Sequence, residues 1–193
     1  MGEEKSISVK YNGKFAYNTL GKGLSKYIDN DPVIVCIGTD KCIGDSLGPM
    51  VGTLLLRDNL PFRVYGTLRN PIHALNINKK LAYIRIRHPF SYIIAIDACI
   101  GDKNEIGNIY LRNSPVFPGK GVGKEIKSVG DISIVGMVDS EESDIKYSLY
   151  QLRLGFVMDM AETIVKGLRK ALLYNIKDNN LSIKDNKTIN LSL

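Results

Sequence analysis

A chain of 193 residues that is 44% hydrophobic and 24% charged has the composition of one globular domain with an ordinary core. Its net charge of +6 admits an anionic partner, yet no zinc-finger, helix-turn-helix or RNA-binding aromatic pattern accompanies it. A lysine-rich surface is the simpler explanation, and no nucleic-acid partner is expected.

No apolar run reaches membrane-spanning length, and Met1-Gly2-Glu3-Glu4-Lys5 lacks a signal-peptide pattern. Cys36, Cys42 and Cys99 have neither C-x-x-C spacing nor the even count of a disulfide framework. These features predict a cytoplasmic protein without a membrane partner. One domain is expected over residues 1–175, followed by a polar tail over 176–193.

Ser6 to Tyr11 suits a short edge strand. Phe15, Leu20, Leu24 and Tyr27 are spaced as on an amphipathic helix, against the helix-weakening Gly21 and Gly23. After Asn30-Asp31-Pro32 breaks the chain, Val33-Ile34-Val35-Cys36-Ile37-Gly38 reads as a parallel strand buried on both faces. A loop rich in Gly and Asp follows. Ser46 is the expected N-cap of a helix from Leu47 to Arg57, with Pro49 in its first turn.

Phe62 to Gly66 reads as a second strand. Asn70 as N-cap and Pro71 at the first helical position predict a helix continuing to Arg87, before Pro89. Tyr92-Ile93-Ile94-Ala95-Ile96-Asp97 is a third strand, ending on its aspartate. Gly107 to Leu111 forms a fourth, reached by a short turn that suits an antiparallel course. Ile132 to Val138 forms the last. A long helix is predicted from Asp144 to Tyr174, with Leu149, Leu152, Phe156, Met160, Ile164 and Leu168 along one stripe. Acidic residues near its start and Lys166, Arg169 and Lys170 near its end match the helix dipole. Beyond Asn175 the polar stretch is expected to be loosely held, with room for a short edge strand. Strands alternating with helices give an α/β fold, a three-layer α/β/α sandwich around a mostly parallel sheet.

Asp45 and Asp97 each sit where a buried strand reaches the rim of such a sheet, the usual place for its chemistry. If they face one another they can share a proton, direct water at a peptide carbonyl, or together hold a divalent metal. They equally suit structural duties, Asp45 as a helix cap and Asp97 as acceptor for loop amides. His73 is expected in the first turn of the helix after the second strand, a position that the same rim can include, either as a polarising or orienting group or as a surface histidine. Asp40, Gly44 and Ser46 flank Asp45 as candidate substrate contacts. Pro118-Gly-Lys-Gly-Val-Gly-Lys124 fails the phosphate-loop pattern, because Pro118 replaces the leading glycine and Glu125 the magnesium-binding Ser or Thr. A flexible basic loop remains, in which Lys120 or Lys124 can meet an acidic substrate. No metal ligand set is otherwise spelled out, and no cofactor is expected.

Several motifs together resemble the YyaC family of sporulation proteins, which is similar to the spore germination protease and, more distantly, to the hydrogenase maturation proteases. They are Ile37-Gly-Thr-Asp-Lys-Cys-Ile-Gly-Asp-Ser-Leu-Gly-Pro49, Tyr65-Gly-Thr-Leu-Arg-Asn-Pro-Ile-His-Ala-Leu-Asn76, Ala95-Ile-Asp-Ala-Cys99, Pro118 to Lys124, and Val129-Gly-Asp-Ile-Ser133. The resemblance spans Lys14 to Leu172. It implies a phosphorylase/hydrolase-like fold of about five strands, in the order 2-1-3-5-4 counted from the Val33 strand, with one antiparallel.

In the germination protease, the aspartates matching Asp45 and Asp97 are associated with activity. In the hydrogenase maturation proteases, the matching acids bind the nickel of the substrate, helped by a later histidine. This chain has no histidine after His88. The expectation is therefore a sporulation-associated peptidase with Asp45, Asp97 and His73 as its catalytic residues, acting on a protein or peptide such as an acidic spore protein. Its rivals are a peptide- or ligand-binding protein on a protease fold and a metal-dependent hydrolase or metal-binding protein.

Overall fold

The computed structural model describes residues 6–28, 31–118, 127–140 and 152–189. In chain order its strands and helices are β1 (Ile7–Lys10), α1 (Ala16–Ile28), β2 (Val33–Cys36), α2 (Leu47–Arg57), β3 (Arg63–Tyr65), α3 (Ile77–Arg87), β4 (Ile93–Gly101), β5 (Asn108–Arg112), β6 (Ile132–Ser140) and α4 (Leu154–Ile189). The fold is α/β. Among the described residues the six strands form one mixed sheet in the order β1-β5-β6-β4-β2-β3. Strands β3, β2, β4 and β6 are parallel, and β5 is antiparallel to both β6 and β1. The sixth strand is β1, which adds to the edge with Ile7 opposite Leu111 and Lys10 opposite Asn108.

The apolar run of β2 is continuous because both of its faces are covered. Ile34 and Cys36 belong to one hydrophobic cluster with Leu20 and Leu24 of α1, Val51 and Leu55 of α2, and Met160 and Ile164 of α4. Val33 and Val35 belong to a second cluster, with Ile72 and with Ile77 and Ile84 of α3. The glycines that weaken α1 on propensity have a packing reason. A Cβ on Gly21 would stand 2.5 Å from Cβ of Lys170 on α4, so the absence of a side chain lets the two helices close up.

Three predicted boundaries are corrected. Asn70 and Pro71 do not begin a helix. Thr67 and Asn70 exchange backbone hydrogen bonds in a turn, and Ile72, 1% exposed, instead forms a parallel bridge with Ile37. Burying Ile72 beside β2 outweighs the local helix-start signal, and α3 begins only at Ile77. Strand β4 does not end on Asp97 but continues to Gly101 because β6 goes on pairing with it.

The third correction concerns the C-terminus. The predicted start of the last helix at Asp144 lies outside the described residues, but Leu152 and Arg153 are not helical, and Leu152 packs against the first cluster instead. From Leu154 the backbone stays helical to Ile189, where a loose tail or edge strand was expected. No proline or glycine after Gly167 interrupts it.

Replacing Gly21 by Ala raises helix propensity by about 1 kcal/mol, which alone predicts a gain in stability. The contact with Lys170 reverses the sign. Chemical denaturation of Gly21→Ala should show a loss of about 1–2 kcal/mol.

Candidate active site at the end of β2

Strand β2 stops at Cys36, and its last pair with β4 is Cys36 with Ile96. Asp97 is thus the first β4 residue beyond that ladder. Alternation puts Ile93, Ala95 and Asp97 on the same face, that of the α3 cluster, and Asp97 ends this apolar row. Its side chain is buried, 7% exposed, and Oδ1 accepts the Ala98 N–H at 2.9 Å.

Asp45 reaches the same place by a loop folded back on the strand end. Gly38 has φ +134°, and a Cβ there would lie 1.9 Å from the Asp45 carbonyl oxygen, so only glycine fits. The Thr39 N–H donates to that carbonyl at 2.9 Å, and a single helical turn over Gly44–Ser46 leads into α2.

His73 follows Ile72, whose carbonyl accepts the Gly38 N–H at 2.7 Å, so the histidine is tied directly to the Asp45 loop. It precedes α3 rather than lying in its first turn, as the sequence reading had it. Leu75 N–H donates to its Nδ1 at 3.3 Å, and Asn76 Nδ2 lies 3.3 Å from Nε2. Asn76 also accepts the His73 N–H at 3.0 Å and donates to the Pro71 carbonyl at 3.1 Å. Sequence reasoning credited Asn70 with organising this segment and missed Asn76. The readable signal was an Asn just ahead of the apolar Ile77 and Leu81, suited to bonding nearby backbone groups.

The remaining predicted site residues divide. Asp40 is exposed on the loop and accepts from Thr39 Oγ1 at 3.5 Å. Gly44 is half-buried against Leu152 and Val138. Ser46 is 3% exposed, and its hydroxyl turns back to donate to the Ile43 carbonyl at 2.6 Å. It neither caps α2 nor faces solvent, because the preceding turn takes its hydrogen bond. Lys120 and Lys124 lie outside the described residues.

Over residues 8–167 the chain matches the family described as "Protein of unknown function (DUF1256)". It is 41% identical over 150 residues to the Bacillus subtilis (strain 168) protein described as "Uncharacterized protein YyaC", a match covering 77% of this chain and 73% of that one. The chain belongs to the YyaC family. Among the described residues no helix of this YyaC family member is long and apolar enough to cross a membrane.

The Asp45 carboxyl acts on that of Asp97. Burial raises Asp97 well above the ordinary aspartate range, the neighbouring Asp45 raises it further, and the Ala98 N–H opposes both. Burial also raises Asp45, while His73 and the Thr39 N–H pull it back. Burial and the neighbouring Asp45 thus both favour the protonated form of Asp97. Cys36 is fully buried beneath the loop, and burial pushes its thiol up out of the reactive range. Cys42 and Cys99 are half-buried near the rim, and Cys99 Sγ donates to the Ile100 carbonyl at 3.3 Å. Among the described residues no three His, Cys, Asp or Glu side chains gather so as to hold a metal ion, and Asp45, Asp97 and His73 do not form such a group. A shallow cavity between α2 and α4, walled by Arg57, Asp58, Glu162 and Arg169, lies at the opposite end of α2 from Asp45. Its charges are already paired, Asp58 with Arg169 and Glu162 with Lys166.

Because the folded state holds Asp97 protonated at a pH where the unfolded chain has released the proton, Asp97 costs stability as pH rises from the unfolded value through the raised one. Asp97→Asn retains an acceptor for the Ala98 N–H and has no proton to lose. Its melting temperature should exceed that of the parent at neutral pH, and the gap should close in acid, as measured by thermal melts across pH.

Proposed function

We propose that this chain is a peptidase of sporulating cells, cytoplasmic and acting on a protein or peptide substrate through the Asp45–Asp97 pair. The reading includes a phosphorylase/hydrolase-like, three-layer frame, of which the α/β sheet and its two apolar clusters are the coarser part. The observation that carries it is a buried Asp97 just past the last β2–β4 pair, with the Asp45 loop folded onto the end of β2 at Gly38 and tied there to Ile72, the residue before His73; the raised carboxyls agree with it.

Asp97, the more buried acid and the one raised by its neighbour, holds the shared proton. Asp45, which His73 pulls the other way, is the carboxylate that takes a proton from water. The water oxygen bonds to the peptide carbonyl carbon while Asp97 donates to the carbonyl oxygen. In the collapse of the resulting gem-diol, Asp45 passes its proton to the leaving amine, Asp97 takes back a hydroxyl proton, the C–N bond breaks and a carboxylic acid is left. His73, steadied by Asn76, orients the substrate carbonyl or the water. Asp40 and Gly44 stand on the loop that borders the pair, and Lys120 and Lys124 supply positive charge for an acidic substrate.

A binding protein on the same frame is the second reading, and the 7% exposure of Asp97 favours it. The two separate on incubation with an acidic spore protein. For a peptidase, cleavage follows a bell-shaped pH profile, since Asp45 must be ionised and Asp97 protonated, and Asp45→Asn and Asp97→Asn each lower kcat by about 10²–10⁴-fold. Undiminished cleavage by both variants overturns the assignment. Absence of cleavage by the parent, with binding that Asp45→Asn abolishes, establishes the binding protein instead.

A further inference from the structure

Residues 59–96 contain Arg63, Arg69, Lys79, Lys80, Arg85 and Arg87 and no aspartate or glutamate, so the net charge of +6 resides in this one stretch. It folds into β3, α3 and their flanks. Helix α3 turns Ile77, Leu81 and Ile84 toward the sheet, which leaves Lys79, Ala82, Tyr83 and Ile86 outward. Among the described residues the three most exposed large apolar side chains are all here. Leu75, just before the helix, is 78% exposed; Ile86, on its outer face, 80%; and Phe90, just past its end, 99%. Lys79, Arg85 and Arg87 are exposed beside them, and none has an ion-pair partner among the described residues.

We propose that the outer face of α3 docks on an anionic lipid surface. The charge says that the partner is negative. A second copy of this chain would bring one basic face against another, so self-association through α3 is disfavoured. Leucine and isoleucine have nothing to stack on or bond to along a nucleic-acid backbone. The outer side of a helix is a ridge, and apolar anchors spread from Leu75 to Phe90 would each need a separate pocket on an acidic protein. A bilayer interface needs no such pockets. It accepts apolar side chains at the headgroup–acyl boundary while Lys and Arg stay level with the phosphates. Surface contact of this kind requires no spanning helix, so it departs from the expectation of no membrane partner without conflicting with the helices described. His73 lies two residues before Leu75, so docking would bring the Asp45–Asp97 rim near the lipid. The proposal stands whether or not that rim cleaves peptides.

The test is co-sedimentation of the full chain with phosphatidylcholine vesicles, with and without phosphatidylglycerol. Binding is expected only with phosphatidylglycerol and should fall as salt is raised. Ile86→Ser with Phe90→Ser should weaken it by at least about tenfold. Charge reversal at Lys79, Arg85 and Arg87 should weaken it by about fivefold or more per residue. Lys14→Glu with Phe15→Ser, an exposed basic–aromatic pair ahead of α1, should leave it unchanged. Melting temperatures of the variants should match the parent, because every altered side chain is exposed. Failure to bind phosphatidylglycerol vesicles overturns the proposal. So does equal binding to neutral vesicles, an equal loss in the Lys14/Phe15 control, or α3-dependent capture of polyglutamate or a single-stranded oligonucleotide without vesicle binding.

Discussion

Strand β2 gives out at Cys36 while β4 and β6 run on, and that difference in length shapes the whole rim. The gap beyond β2 is where Asp97 finds itself without the neighbour that covers Ile93 and Ala95. The chain leaving β2 must fold back over that gap to start α2 on the other side of the sheet. It does so through Gly38, at a φ of +134° and with no room for a side-chain carbon, which would lie 1.9 Å from the Asp45 carbonyl oxygen. Without that close approach the Asp45 carbonyl could not sit against the strand end, and the two carboxyls would not share an environment.

The arrangement runs against stability. Two acids near one another, one of them almost out of water, are an unfavourable pairing that an apolar or amide pair would relieve. Much of the neighbouring structure reinforces the pairing. The Ala98 N–H supports the Asp97 carboxyl, the Thr39 N–H holds the Asp45 main-chain carbonyl, and Asn76 braces the histidine.

The helices divide between the two apolar clusters. Helices α1, α2 and α4 contribute to the larger apolar cluster, and α3 contributes to the smaller one. Ile93 and Ala95, the row that Asp97 ends, belong to the smaller cluster, whereas Phe62, Ile94 and Ile96 of the basic stretch 59–96 belong to the larger.

The sequence by itself determined the elements whose signals are local. The all-apolar run of β2, the helix Leu47–Arg57 and the amphipathic course of α1 were legible because side chains two, three or four positions apart decide them. Asp45, Asp97 and His73 could be named from their places after apolar runs. Their convergence could not be derived from spacing, since it depends on β2 and β4 being neighbours and on where β2 stops. Tertiary structure also overruled good local signals. Asn70-Pro71 is a sound helix start, yet Ile72 gains more by pairing with Ile37; Ser46 is a sound cap, yet its hydroxyl serves the turn before it. In each case a buried contact or a competing hydrogen bond, made only once the chain has folded, outweighed a preference worth about 1 kcal/mol or less.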